Sequence, residues 1–133
     1  MSIAATFTSI SATHGVRNLL RMEALALLLA ALLLYARLSG DWLLFAELFL
    51  LPDISIVLYL FGPRMGALAY NAAHSTLGAL LVAAFGATMN QPVAFAAALI
   101  WLAHIGFDRM LGYGLKYASS FSETHLGRLG HER

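Results

Sequence analysis

His104 and Asp108 stand four residues apart at the end of an apolar run, Trp101-Leu102-Ala103-His104-Ile105-Gly106-Phe107-Asp108-Arg109. On a helix that spacing puts an imidazole and a carboxylate on one face, one turn apart. Two further apolar runs carry groups of the same kinds, Asp53 in the second run and His74 in the third. Ionisable groups inside greasy segments are costly unless they face a protein interior, which makes each of them a functional candidate. Two histidines with one or two carboxylates, supplied by different helices, form a ligand set suited to zinc, iron or manganese. Such an ion could activate water or polarise a lipid-soluble substrate. Metal-free acid–base chemistry, a proton relay, or a hydrogen-bonded network that only locks the helices use the same residues, and the sequence leaves these open.

Around this set stand weaker candidates. Glu23, near the start of the first run, is a candidate acid or base, and Asn71 shares a helical face with His74. Arg109, in the last turn of the fourth run, and Lys116, just after it, sit where anionic headgroups begin and make a candidate headgroup- or phosphate-binding pair. Asp108 and Arg109 also suit an interfacial ion pair. His125 could fold back as a further ligand, although a solvated tail is the plainer expectation.

What positions these groups follows from composition. The 133 residues are 60% hydrophobic and 11% charged, far from the quarter charged of an ordinary soluble domain, with mean hydropathy +0.76. A net charge of +1 gives no general attraction to nucleic acid, and none is expected as a partner. Cysteine is absent, which excludes disulfides, thiolate metal sites and cysteine nucleophiles. No phosphate loop, dinucleotide glycine fingerprint, nucleophile elbow or His-Glu-x-x-His motif occurs.

Four apolar runs, about 19–38, 42–61, 65–88 and 92–111, are each long enough to cross roughly 30 Å of hydrocarbon. They predict an all-α integral membrane bundle of four transmembrane helices (19–117), between a mobile N-terminal tail (1–18) and a cytoplasmic C-terminal tail (118–133). Asp41 and Asn90-Gln91-Pro92 suit helix starts, Gly112 a helix stop, and Pro52 a kink in the second helix. Trp42, Tyr113 and Tyr117 suit interfacial anchoring; Trp101 is expected only to pack. Ala69/Ala73, Ala79/Ala83 and Ala94/Ala98 would allow close helix approach.

With four spans, Arg17, Arg21, Arg64, Arg109, Lys116, Arg128 and Arg133 share one side and Arg37 takes the other. The positive-inside rule then places both termini in the cytoplasm and the chain in the cell inner membrane. Counted along α-helices, Asp53, His74 and His104 fall at about 12, 14 and 10 Å from that surface, and Asp108 at about 4 Å. The first three are therefore expected to share one layer, with Asp108 and Arg109 at its cytoplasmic mouth.

The combination Arg21-x-Glu23, Leu51-Pro52-Asp53-Ile54-Ser55, Gly62-Pro63-Arg64, Tyr70-Asn71-x-x-His74, the run from Trp101 to Arg109, Gly112-Tyr113-Gly114-Leu115-Lys116-Tyr117 and Thr124-His125-Leu126-Gly127-Arg128 resembles a bacterial family of small membrane proteins, domain of unknown function 4260. The resemblance implies a four-helix membrane protein and brings no substrate, cofactor or catalytic residue with it. Two functional classes follow from the residues. One is a metal-dependent enzyme acting on a lipid-like substrate, by hydrolysis or isomerisation. The other is a non-enzymatic membrane module (a helper subunit, a scaffold, or a small transporter that would need a homodimer) whose polar centre is structural.

Overall fold

The computed structural model describes residues 14–116 and 123–128. Its helices are α1 (His14–Leu38), α2 (Trp42–Phe49), a 3₁₀ segment (Leu51–Phe61), α3 (Pro63–His74), α4 (Thr76–Thr88) and α5 (Pro92–Leu111). Taken together across their breaks, these make four helices long and apolar enough to cross a membrane: His14–Leu38, Trp42–Phe61, Pro63–Thr88 and Pro92–Leu111. Leu19, Leu29, Leu33, Leu43, Leu60, Phe61, Leu68, Leu81 and Val93 are among the large apolar side chains left exposed, in keeping with helices apolar enough to cross a membrane.

α5 is the centre. α1, α2 and α4 all pack on it, and its buried residues run from Ala96 to Gly106. The α1–α5 approach is close because Gly106 has no side chain: a Cβ there would meet the Ala24 carbonyl and the Leu28 backbone at 2.9 Å. Gly86 does the same for α4 against Phe95 of α5, while the ring of Tyr59 occupies the space beside Gly66. Close approaches thus occur at these glycines, and Ala79 and Ala98 of the expected alanine pairs are also fully buried.

Two of the four spans are not continuous α-helix. Pro52 cannot donate a backbone hydrogen bond, and from Leu51 the second span continues as an eleven-residue 3₁₀ helix, much longer than the usual few residues. The third span breaks at Ser75, which is extended (φ −79°, ψ 137°) and whose hydroxyl accepts from Leu77 N to start α4. The disturbance of helical bonding near Pro52 was legible in the sequence; the break at Ser75 interrupts what reads as one run.

The first helix starts at His14, so residues 14–18 belong to it rather than to a tail, and residues 1–13 lie outside the described residues. The C-terminal stretch is also structured in part. β1 (Glu123–Thr124) pairs antiparallel with β2 (Gly127–Arg128), and Lys116 bridges to Thr124. His125 N donates to the Leu115 carbonyl (3.1 Å), and Leu115 N donates to His125 Nδ1 (2.8 Å). Described residues 123–128 therefore form a clasp on the end of α5, not a solvated tail. Tyr117 lies outside the described residues.

Candidate metal centre

The breaks decide where the polar groups meet. The 3₁₀ segment and α3 form an antiparallel hairpin about Gly62, whose φ of +113° suits glycine. Asp53 lies nine residues before Gly62, about 18 Å at the 3₁₀ rise of about 2.0 Å per residue. His74 lies twelve residues after it, again about 18 Å at 1.5 Å per residue. An α-helical Asp53 would stop about one turn short of His74. The 3₁₀ winding levels the two.

Asp53, His74, His104 and Asp108 each contribute one ligand-type atom to a cluster in which all four lie within 4.8 Å of one another. His74 Nε2 and His104 Nε2 are 3.1 Å apart. Asp53 Oδ1 is 3.3 Å from His74 Nε2 and 3.4 Å from His104 Nε2, and Asp108 Oδ2 is 3.3 Å from both. Both histidine side chains are buried, Asp108 is largely so, and the Asp53 side chain is 40% exposed.

Asp108 therefore does not guard a mouth one turn below the histidines. Helical side chains lean toward the N-terminus, so Asp108, at i+4, reaches back beside His104. Its ion pairs among the described residues are with the two histidines, where the sequence suggested Arg109.

The rings are oriented by the backbone. His74 Nδ1 donates to the Tyr70 carbonyl one turn earlier (2.9 Å), and Tyr70 stacks on the imidazole with ring centroids 3.8 Å apart. That bond assigns the proton to Nδ1 in the neutral ring and leaves the Nε2 lone pair facing the cluster. Beside the His104 ring lies the Phe49 carbonyl, with the Phe49 ring edge-on at 5.2 Å. His104 Nδ1 is buried without a hydrogen bond of ordinary geometry.

Four electron-rich atoms thus converge on one point. A proton serves one or two such contacts; a divalent cation serves all four and is neutralised by the two carboxylates. Tetrahedral zinc with ligands at about 2.0–2.1 Å needs ligand–ligand separations of about 3.3 Å, and the five quoted above run from 3.1 to 3.4 Å. The residues present fit such an ion.

The break at Ser75 frees the last carbonyls of α3, and side chains of α5 take them up. Trp101 Nε1 donates to the Ala73 carbonyl, and Arg109 donates to the His74 carbonyl at 3.3 Å. Trp101 was legible only as packing. Arg109 turns inward and is half-buried. A helix C-terminus carries partial negative charge, which favours a cation at His74.

The remaining candidates fall outside the cluster. Glu23 is exposed on α1. Asn71 clamps the chain after α5, donating from Nδ2 to the Lys116 carbonyl (2.7 Å) and accepting from Lys116 N (2.6 Å). Lys116 is buried rather than held out toward headgroups, with Nζ 4.9 Å from the Tyr70 ring centroid. Burial pushes its ammonium down to about 8, partly opposed by the charge of Asp108. Burial, then the charge of Arg109, likewise lower the His125 imidazole. His125 is engaged by Leu115 and is not part of the four-residue cluster.

Fold and site together define a helical protein with four membrane-length helices and a buried His/Asp cluster at the breaks of two of them. The family model described as "Domain of unknown function (DUF4260)" matches residues 17–129, and the chain belongs to that family. No curated protein and no solved structure matches it.

Proposed function

We propose that the protein is a membrane-embedded metalloenzyme acting on a lipid-like substrate, with one divalent ion held by Asp53, His74, His104 and Asp108. One observation carries the reading: two imidazole nitrogens 3.1 Å apart, each within 3.4 Å of both carboxylates, with the His74 proton committed to a backbone carbonyl. When bound, the ion would supply Lewis acidity and a bound water of lowered pKa, chemistry suited to hydrolysis. The chain's part is to hold the imidazoles in one tautomer, balance the charge with two carboxylates, and leave one flank open at Asp53. In the cell the basic end of the bundle, with Arg64, Arg109 and Lys116, faces the cytoplasm together with both termini, in the inner membrane.

The burial of both imidazoles favours a second reading, a non-enzymatic module whose centre only locks the helices. Metal content separates the two. Protein purified in detergent without chelator is expected to carry about one zinc, iron or manganese ion per chain, and His74→Ala and His104→Ala to lose it while remaining helical. A metal-free wild type that gains no thermal stability from added metal would overturn the metalloenzyme.

A further inference from the structure

An apolar groove of about 410 Å³ runs beside the cluster, lined by Leu48, Leu51, Pro52, Ala73, Val82, Ala97 and Trp101. The lining comes from α2, the start of the 3₁₀ segment, α3, α4 and α5. Its lining lies close in sequence to both helix breaks and to the cluster. Leu51 and Pro52 immediately precede Asp53, Ala73 immediately precedes His74, and Trp101 lies three residues before His104.

The lining excludes a polar occupant. Trp101 brings the one polar side chain, and its N–H is already committed to the Ala73 carbonyl. Every lining residue lies at least five residues inside its span, so the groove opens at hydrocarbon depth, where a displaced lipid chain is available and water is scarce. Asp53, the most exposed of the four cluster residues, follows directly on Pro52 of the lining.

We infer that this groove admits a single hydrocarbon chain sideways from the bilayer and delivers its oxygen-bearing end to the Asp53 flank of the cluster. The inference rests on the metalloenzyme reading for the fate of that end, but the chain's seat depends only on the groove. The substrate class becomes a single-chain amphiphile, such as a fatty-acid ester that would yield the fatty acid and an alcohol with water, entering laterally rather than from either aqueous side. Ala97 and Val82, both in the lining, select for a narrow chain, because a larger side chain at either position fills the space.

The test reconstitutes the full chain in phosphatidylcholine vesicles with a photoactivatable fatty acid carrying a diazirine in its chain. Labelling is expected to concentrate at Leu48, Val82 and Ala97, to saturate, and to be competed by unlabelled fatty acid. Leu29 and Leu33 on the exposed face of α1 report ordinary boundary lipid. Ala97→Trp and, separately, Val82→Phe should lower groove labelling about tenfold, the loss that two displaced methylenes account for. Each should leave bound metal and the melting temperature unchanged. Groove labelling that matches Leu29 and does not saturate overturns the inference, as does crosslinking of the groove residues to a second copy of the chain. Saturable labelling in a protein that binds no metal upholds the groove and overturns the metalloenzyme, so the two failures are distinct. Should Ala97→Trp fail to fold, Val82→Phe and the competition curve on wild type still decide.

Discussion

α1 and α5 form the unbroken half of the molecule, whereas the span from Trp42 through the 3₁₀ segment and the span from Pro63 to Thr88 form the broken half. The first pair is held backbone to backbone at Gly106, and Arg21 of α1 donates to the Met110 carbonyl at the end of α5 (2.7 Å). The second pair meets through Tyr59 against Gly66 and gives up α-helical hydrogen bonds at Pro52 and Ser75. Each half supplies one histidine and one carboxylate to the cluster: His104 with Asp108, and Asp53 with His74. In hydrocarbon, irregular backbone persists only where protein groups take up the freed donors and acceptors, and here Trp101 and Arg109 of the unbroken half do so. The difference assigns the halves separate tasks. One is a rigid frame; the other brings ligands and an opening to it.

That division can be broken first at the frame. Gly106→Leu would drive a side chain into the Ala24 carbonyl and the Leu28 backbone, which cannot yield as side chains do. Destabilisation of about 3 kcal/mol or more is expected, in line with severe overpacking, and should appear as a large fall in melting temperature in detergent whether or not metal is supplied. A Gly106→Leu protein as stable as wild type would show that the α1–α5 contact is not the frame.

A middle-sized effect should separate frame from opening. Arg109→Gln replaces the guanidinium that holds the His74 carbonyl with a neutral amide too short to reach it. Metal affinity is expected to fall about 10- to 100-fold, as for loss of groups that orient ligands, with a smaller change in apo stability. Competition against a chelator of known affinity measures it. Equal metal affinity in wild type and Arg109→Gln would reduce Arg109 to a structural cap.

The smallest effect concerns the clasp that closes the end of α5. His125 has a folded-state pKa below its unfolded value, so the unfolded clasp binds more protons. Its contribution is therefore complete above the unfolded value of about 6.5 and declines as pH falls through the window between that value and the lower folded one. Amide exchange at Leu115 and His125, which hydrogen-bond each other, should quicken as pH drops below about 6.5 after correction for intrinsic rates. In His125→Asn that pH dependence should vanish. Exchange independent of pH across this window in wild type would mean that burial of His125 does not tune the clasp.

Much of this architecture was legible in the residues. The four apolar runs predict the four membrane-length helices to within a few residues, because hydrocarbon thickness imposes length and apolar content directly on the sequence. Asp41 accepts from Leu44 N at the start of α2 and Gly112 is left-handed at the end of α5, as their side-chain chemistry dictates. Asp53, His74, His104 and Asp108 are identifiable because ionisable groups are rare in such runs. Glu23, Asn71, Arg109 and Lys116 are equally visible, yet the fold gives them other places: an exposed face, a backbone clamp, a helix cap and a buried seat on Tyr70.

Composition and the positions of polar residues thus determined the class of protein and the four residues of the centre, since both follow from the cost of moving groups out of water. Only the tertiary structure decided that those four meet at one point. Counting along ideal α-helices divided the His104–Asp108 pair between two depths, but the direction of helical side chains rejoins it. Winding from Leu51 to Phe61 at the longer 3₁₀ rise brings Asp53 level with His74. The break at Ser75 exists because Trp101 and Arg109, far along the chain, satisfy the carbonyls it frees. Such cooperation between distant residues leaves no local pattern in the sequence.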